Sequence, residues 1–159
     1  MTTERIRVQA VTRTVDAHAD AEWDVLADGW AYPTWVVGAS RVRAVDLSWP
    51  AEGASIHHSF GVWPAVVDDT TEVVARDPGR ELVLRARGWP MGEAEVVIGL
   101  TALDDGRCVV SIAEDAVSGP GSLLPRPRRQ PPIRRRNVES LKRLAYLVER
   151  HTGADAPAS

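Results

Sequence analysis

Apolar residues along the chain are spaced in two alternating periods. Residues 5–15 place Ile6, Val8 and Ala10 between Arg5, Arg7 and Gln9, the period of two that marks a half-buried strand. Asp16 to Ala21 then supplies turn and cap residues, and either Asp16 or Asp20 caps a short helix reaching Asp28, with Trp23, Leu26 and Ala27 on one face. Gly29 ends it. A second short helix is predicted over Trp30–Val37, with Pro33 in its first turn and Gly38 after its end.

Strand periodicity returns over 41–48, 55–63, 66–76, 81–88, 93–103 and 107–116. The breaks contain Pro, Gly or Asp-Gly, the residues that set or tolerate turn dihedrals: Trp49-Pro50, Trp63-Pro64, Asp77-Pro78-Gly79, Trp89-Pro90 and Asp104-Asp105-Gly106. Connections this short join antiparallel neighbours, so the strands form a meander. Residues 118–132, rich in Gly and Pro, read as neither strand nor helix. The helical period then runs longest over 133–151, where Val138, Leu141, Leu144, Ala145 and Val148 form one apolar stripe. A curved sheet with this helix across its concave face buries the stripe, and the space between them need not fill completely.

A chain of 159 residues, 44% hydrophobic and 26% charged, fits one domain, expected over 1–152 with a disordered tail at 153–159. No apolar run approaches the ~20 residues of a spanning helix, and no signal-peptide pattern opens the chain, so a soluble, cytoplasmic protein is expected. The lone Cys108 excludes an internal disulfide framework and gives no metal-site spacing. No phosphate-cradling glycine loop, dinucleotide fingerprint or Gly-x-Ser-x-Gly elbow is present, and no cofactor is expected. The net charge of −3 argues against nucleic-acid binding, but the charge is uneven: residues 126–150 carry nine Arg or Lys against two Glu.

This order of elements, with the long helix last, resembles the helix-grip fold of the START-like (SRPBCC) superfamily. Trp35-Val36-Val37-Gly38, Trp49-Pro50 to His57-His58, and Glu114-Asp115 to Gly119-Pro120-Gly121 are similar to a bacterial branch labelled polyketide cyclase/dehydrase-like. The resemblance implies an α+β fold in which a seven-strand antiparallel sheet wraps a long C-terminal helix, with two short helices after the first strand. It also implies a cavity for a hydrophobic small molecule, lipid-like or polyketide-like, in a binding or carrier protein. An aromatase/cyclase or dehydratase is the alternative.

Several residues are candidates for that cavity. Turns of a meander alternate between its ends, so Trp63 and Trp89 share one end with Gly38 and the 118–132 segment. With Trp35 they would form an aromatic rim, or they plug that end of the core. Ile56, His58 and Phe60 share the inward phase, so His58 is either a general base or acid in an apolar cavity or a neutral core histidine with one backbone partner. Cys108, Val110, Ile112 and Glu114 are also in phase. They would bury Glu114 near the mouth, where it and His58 are the candidate general acid/base pair, with its pKa raised unless Arg85 or Arg87 reaches it, and leave Asp115 in solvent; a bulge would exchange the two carboxylates. Leu84, Val96 and Leu141 complete the expected apolar lining.

Arg128, Arg129 and Arg134 lie in a segment, 126–136, whose six arginines oppose the dipole of the following helix. Either they pair with the acidic remainder of the chain, or they attract a ligand anion or an anionic membrane surface.

Overall fold

The computed structural model describes residues 8–88 and 92–154. The chain runs β1 (Val11–Val15), α1 (Ala19–Leu26), a 3-10 turn (Gly29–Ala31) and α2 (Tyr32–Trp35). Six strands follow: β2 (Ala39–Val45), β3 (Ser55–Val62), β4 (Ala65–Asp77), β5 (Glu81–Gly88), β6 (Gly92–Ala102) and β7 (Cys108–Ser118). α3 (Pro120–Leu123) and α4 (Arg126–Ala154) complete it. The sheet is antiparallel throughout, in the order β1-β7-β6-β5-β4-β3-β2, the expected meander with β1 added at the β7 edge.

The core lies between the concave face of this sheet and α4. Ile56, Val73, Leu82, Leu84, Ile98, Val110 and Ile112 are buried from the sheet, and Leu141, Leu144, Ala145 and Val148 from the helix. Val138, expected in the helical stripe, is exposed, because the inward arc at that level is taken by Asn137 and Ser140. α1 closes the end of the sheet that carries the turns at 77–80 and 103–107; its flanking His18 lies beside Gly106 and its Asp20 near Gly79. Cys108 is buried at this same end.

The largest departure from the sequence expectation is α4. It begins at Arg126, and α3 precedes it, so most of the predicted irregular segment is helical despite Pro131 and Pro132. Two prolines donate no N–H and ordinarily break a helix, which is what the sequence pattern registers. They are overridden by a clamp on Asp115. Arg129 donates from Nε to Oδ1 (2.7 Å) and from Nη2 to Oδ2 (2.9 Å). Arg126 Nε reaches Oδ2 at 3.1 Å, and Gln130 Nε2 reaches Oδ1 at 2.9 Å. Asp115 is therefore buried, not solvent-facing. Burial alone would raise its pKa, but the bonds and charge of Arg129 together with the bonds from Gln130 and Arg126 outweigh that and hold the carboxyl below the usual range.

The same helix explains the short first strand. Gln130 Nε2 donates to the Glu114 carbonyl, and Arg134 Nη1 donates to the Gln9 carbonyl at 2.8 Å, so α4 occupies the β7 edge beyond Ile112. β1 pairs only from Val11 to Val15, with Val11 and Val15 inward. Of the expected inward set, Ile6 lies outside the described residues, and Val8 and Ala10 precede the strand. α1 also lacks its expected Asp cap: the cap position is His18, whose side chain makes no capping bond, whereas Asp28 caps the following 3-10 turn.

Candidate functional site

The sheet and α4 enclose a cavity of about 460 Å³, open at the end where β3–β4, β5–β6 and β7–α3 connect. Its wall is largely apolar: Phe60, Leu84, Val96, Ile98 and Ile112 from the strands, Trp35 of α2 with Val36 just after it, Leu124 after α3 and Ile133 of α4. Glu93, Arg87 and Arg128 also line it.

Tyr32, Thr71 and His58 form a hydrogen-bonded chain on the β3–β4 side. His58 Nε2 lies 2.8 Å from Thr71 Oγ1, which lies 3.3 Å from the Tyr32 hydroxyl. All three residues are buried, and the Tyr32 ring also packs against Trp35 and His58, at centroid distances of 5.5 and 5.3 Å. Burial lowers the His58 pKa below its ordinary value, so the imidazole is neutral at pH 7. Burial pushes the Tyr32 phenol up to about 12, so it keeps its proton. A threonine hydroxyl has one hydrogen, so Thr71 donates to one neighbour and accepts from the other. If it donates to His58, the imidazole hydrogen sits on Nδ1; if it donates to Tyr32, the hydrogen sits on Nε2 and the phenol O–H is left free. Thr71 thereby links the tautomer of His58 to the direction of the Tyr32 hydroxyl. His58 Nδ1 and Trp35 Nε1 have no hydrogen-bond partner among the described residues.

Glu114 occupies β7. Its carboxylate bonds Arg136 of α4, not Arg85 or Arg87, which pair instead with Glu95 (3.5 Å) and Glu93 (3.2 Å) across the β5–β6 ladder. Those two pairs follow from register, since Arg85 faces Glu95 and Arg87 faces Glu93. Arg136 also stands 6.0 Å from the Phe60 ring centroid, so one guanidinium joins β3 to β7 across the cavity.

Trp35, His58, Phe60, Leu84, Val96, Ile112 and Glu114 thus line one space, as do Arg128 and Arg129. Other candidates fall elsewhere. Leu141 belongs to the packed core; it lies beyond the cavity wall, deeper along α4. Trp63 does not line the cavity, because its turn carries it out into solvent at the open end. Trp89 lies outside the described residues. Arg134 is turned to the Gln9 carbonyl, and Arg129, though at the wall, is committed to Asp115. His57 and His58 diverge, His57 toward Asp46 at 3.8 Å and His58 toward Thr71.

Thr71 and Arg136 are the site residues the sequence reading missed. Asp69, Thr71 and Val73 share the inward phase of β4, so the signal for Thr71 was present. Arg136, Asn137 and Ser140 continue the helical stripe upward with polar residues, where only apolar ones were counted.

No protein-family profile matches the chain, and no curated protein matches it by sequence. Solved structures do. The aromatase/cyclase ZhuI from Streptomyces sp. R1128 aligns with a TM-score of 0.61 and 22% identity, over 91% of this chain and 94% of that one. The two-domain aromatase/cyclase StfQ of the steffimycin pathway gives 0.67 at 15% identity, over 92% of this chain; the match spans about half of StfQ, 46%. Ara h 8.0201 gives 0.62 at 12% identity, over 88% and 95%. The chain has the helix-grip fold of START-like proteins, with the polyketide aromatase/cyclases among its structural neighbours.

Proposed function

We propose that the protein binds a hydrophobic small molecule, polyketide-like or lipid-like, in the cavity between the sheet and α4. The observation that carries this reading is an apolar space of about 460 Å³ with a few converging polar groups, the usual composition of a small-molecule site. Contacts with Trp35, Phe60, Leu84, Val96 and Ile112 supply affinity, at ~25 cal/mol per Å² of apolar surface buried. His58, Tyr32 and the Glu114–Arg136 pair orient a ligand that carries oxygen. The Glu114–Arg136 pair and Arg128 on the wall favour a ligand that carries oxygen over a bare hydrocarbon, since polar groups covered by hydrocarbon lose their hydration without a replacement. Mass spectrometry of the purified protein, native and after solvent extraction, tests this: a stoichiometric oxygenated hydrophobic compound is expected, and affinity only for saturated hydrocarbons would overturn the orientation argument.

A second reading, an aromatase/cyclase or dehydratase, is favoured by the chain from His58 through Thr71 to Tyr32, which pairs a neutral base with a proton-bearing phenol. Aromatase/cyclases built on the same fold support it. In that reading His58 removes a proton alpha to a substrate carbonyl, and Glu114 takes part in proton transfer or fixes Arg136 against the substrate. Loss of turnover on a poly-β-keto substrate in both His58→Ala and Glu114→Gln, with the circular dichroism of the folded protein retained at the assay temperature, is the expected result. Full turnover in both variants would reject the catalytic reading and leave the binding one standing.

A further inference from the structure

The open end of the cavity is also where the molecule exposes apolar side chains beside unpaired cations. Trp63, at the tip of the β3–β4 turn, is 85% exposed, and Leu123, at the end of α3, is 83% exposed. Leu124 and Val117 are exposed beside Leu123. The two tips flank the mouth: β3 leads from the lining residue Phe60 to Trp63, while Leu124 and Arg128 line the other rim. Around them the arginines divide into two sets. Arg126, Arg129 and Arg136 neutralise the buried Asp115 and Glu114. Arg128 and Arg135, both exposed, have no acidic partner among the described residues. At the opposite end the exposed Asp20, Asp24, Asp28, Asp77, Asp104 and Asp105 outnumber the exposed Arg76, Arg80 and Arg107, so the mouth is the more positive end of the fold.

We infer that this end docks on an anionic lipid bilayer, with Trp63 and Leu123 entering the interface and Arg128 and Arg135 meeting the headgroups. The chemistry is that of interfacial binding: an aromatic and an aliphatic side chain at the depth of the headgroups, with nearby guanidinium groups attracted by the negative surface potential. The acidic far end is repelled by the same potential, which fixes the orientation with the mouth toward the lipid. A bilayer suits this surface better than a folded partner does. The apolar residues stand on the tips of two separate connections and form no groove, whereas a stable protein interface needs a continuous complementary area of ~800 Å² on each side. No helix among the described residues is long and apolar enough to cross a membrane, so the contact is peripheral. This inference stands apart from what the cavity holds, and its test uses no cavity ligand.

The test is co-sedimentation of the full chain with phosphatidylcholine vesicles, alone or with about 30 mol% phosphatidylglycerol, at low and high salt. Anionic vesicles are expected to retain at least about tenfold more protein than neutral ones, with most of the gain lost at high salt. Trp63→Ala and Leu123→Asp should each reduce retention at least about fivefold with unchanged melting, since both side chains are in solvent, and Arg128→Glu should act as added salt does. Equal retention on neutral and anionic vesicles, no retention on either, or full retention of both Trp63→Ala and Leu123→Asp would overturn the proposal. Binding of this face to a small acidic protein, without vesicle binding, would reassign the surface to a protein partner.

Discussion

Arg129 grips Asp115 with two parallel bonds, Nε to Oδ1 at 2.7 Å and Nη2 to Oδ2 at 2.9 Å, and the same guanidinium donates to the carbonyls of Ser122 and Leu124. One side chain thus fastens β7, α3 and the first turn of α4 together. Asp115→Asn should cost about 3 kcal/mol of stability, because it leaves the largely covered Arg129 without its counterion. Chemical denaturation measures the loss, and amide exchange over 126–132 should rise with it. The sign of the pH effect follows from the lowered carboxyl pKa: the contribution is complete above the ordinary carboxylate range and disappears as pH falls through the folded-state value.

Glu22 titrates the other way. It is fully buried on α1, neither oxygen has a partner among the described residues, and burial reinforced by Glu149 raises its pKa to about 8. The folded state therefore holds a proton that the unfolded chain releases near 4.5. Stability should fall as pH rises from about 4.5 to about 8, by up to about 1.4 kcal/mol per pH unit from this group. Glu22→Gln should remove that slope. Urea midpoints of both proteins at pH 5.5 and 8.5 decide the matter; parallel changes would contradict it.

Thr71→Val keeps the shape of the side chain and removes the hydroxyl shared by His58 and Tyr32. A loss of about 1–3 kcal/mol is expected, because two buried polar groups lose their common partner. Thr71→Ser retains the hydroxyl and should restore most of the stability, a contrast thermal melts will show.

Gly38 has φ +96°, and a Cβ there would lie 2.6 Å from the Phe60 ring. Gly38→Ala should cost about 1–3 kcal/mol through the backbone and displace the ring toward the cavity. Weaker binding of a fluorescent hydrophobic probe should accompany the lower melting temperature. Unchanged binding would place Phe60 outside the ligand's reach.

The meander and the inward set His58, Phe60, Ile112 and Glu114 were legible because period two is imposed locally by the pleat, and one face of each strand had to be apolar. The start of α4 was not, since its local signal, two prolines among arginines, opposes a helix. The term that decides it is a buried carboxylate some fifteen residues away, at Asp115. The partner of Glu114 was hidden for a different reason. Strand register sends Arg85 and Arg87 to Glu95 and Glu93, whereas Arg136, though inside the predicted helix, meets Glu114 through helix-on-sheet packing that no local period encodes. Trp63 misled because turn position gives the end of the sheet but not the direction in which a turn residue projects.

The buried thiol at the closed end gives the molecule a chemical clock of its own. Cys108 is the sole cysteine, packed where β7 begins beneath α1, and its burial pushes the thiol pKa up. An alkylating reagent added to the native protein reacts only during the moments when that end comes apart, because the thiolate is the reactive form. The rate of modification therefore times the opening of the end opposite the mouth, and a ligand that tightens the whole fold should slow it without touching the sulfur.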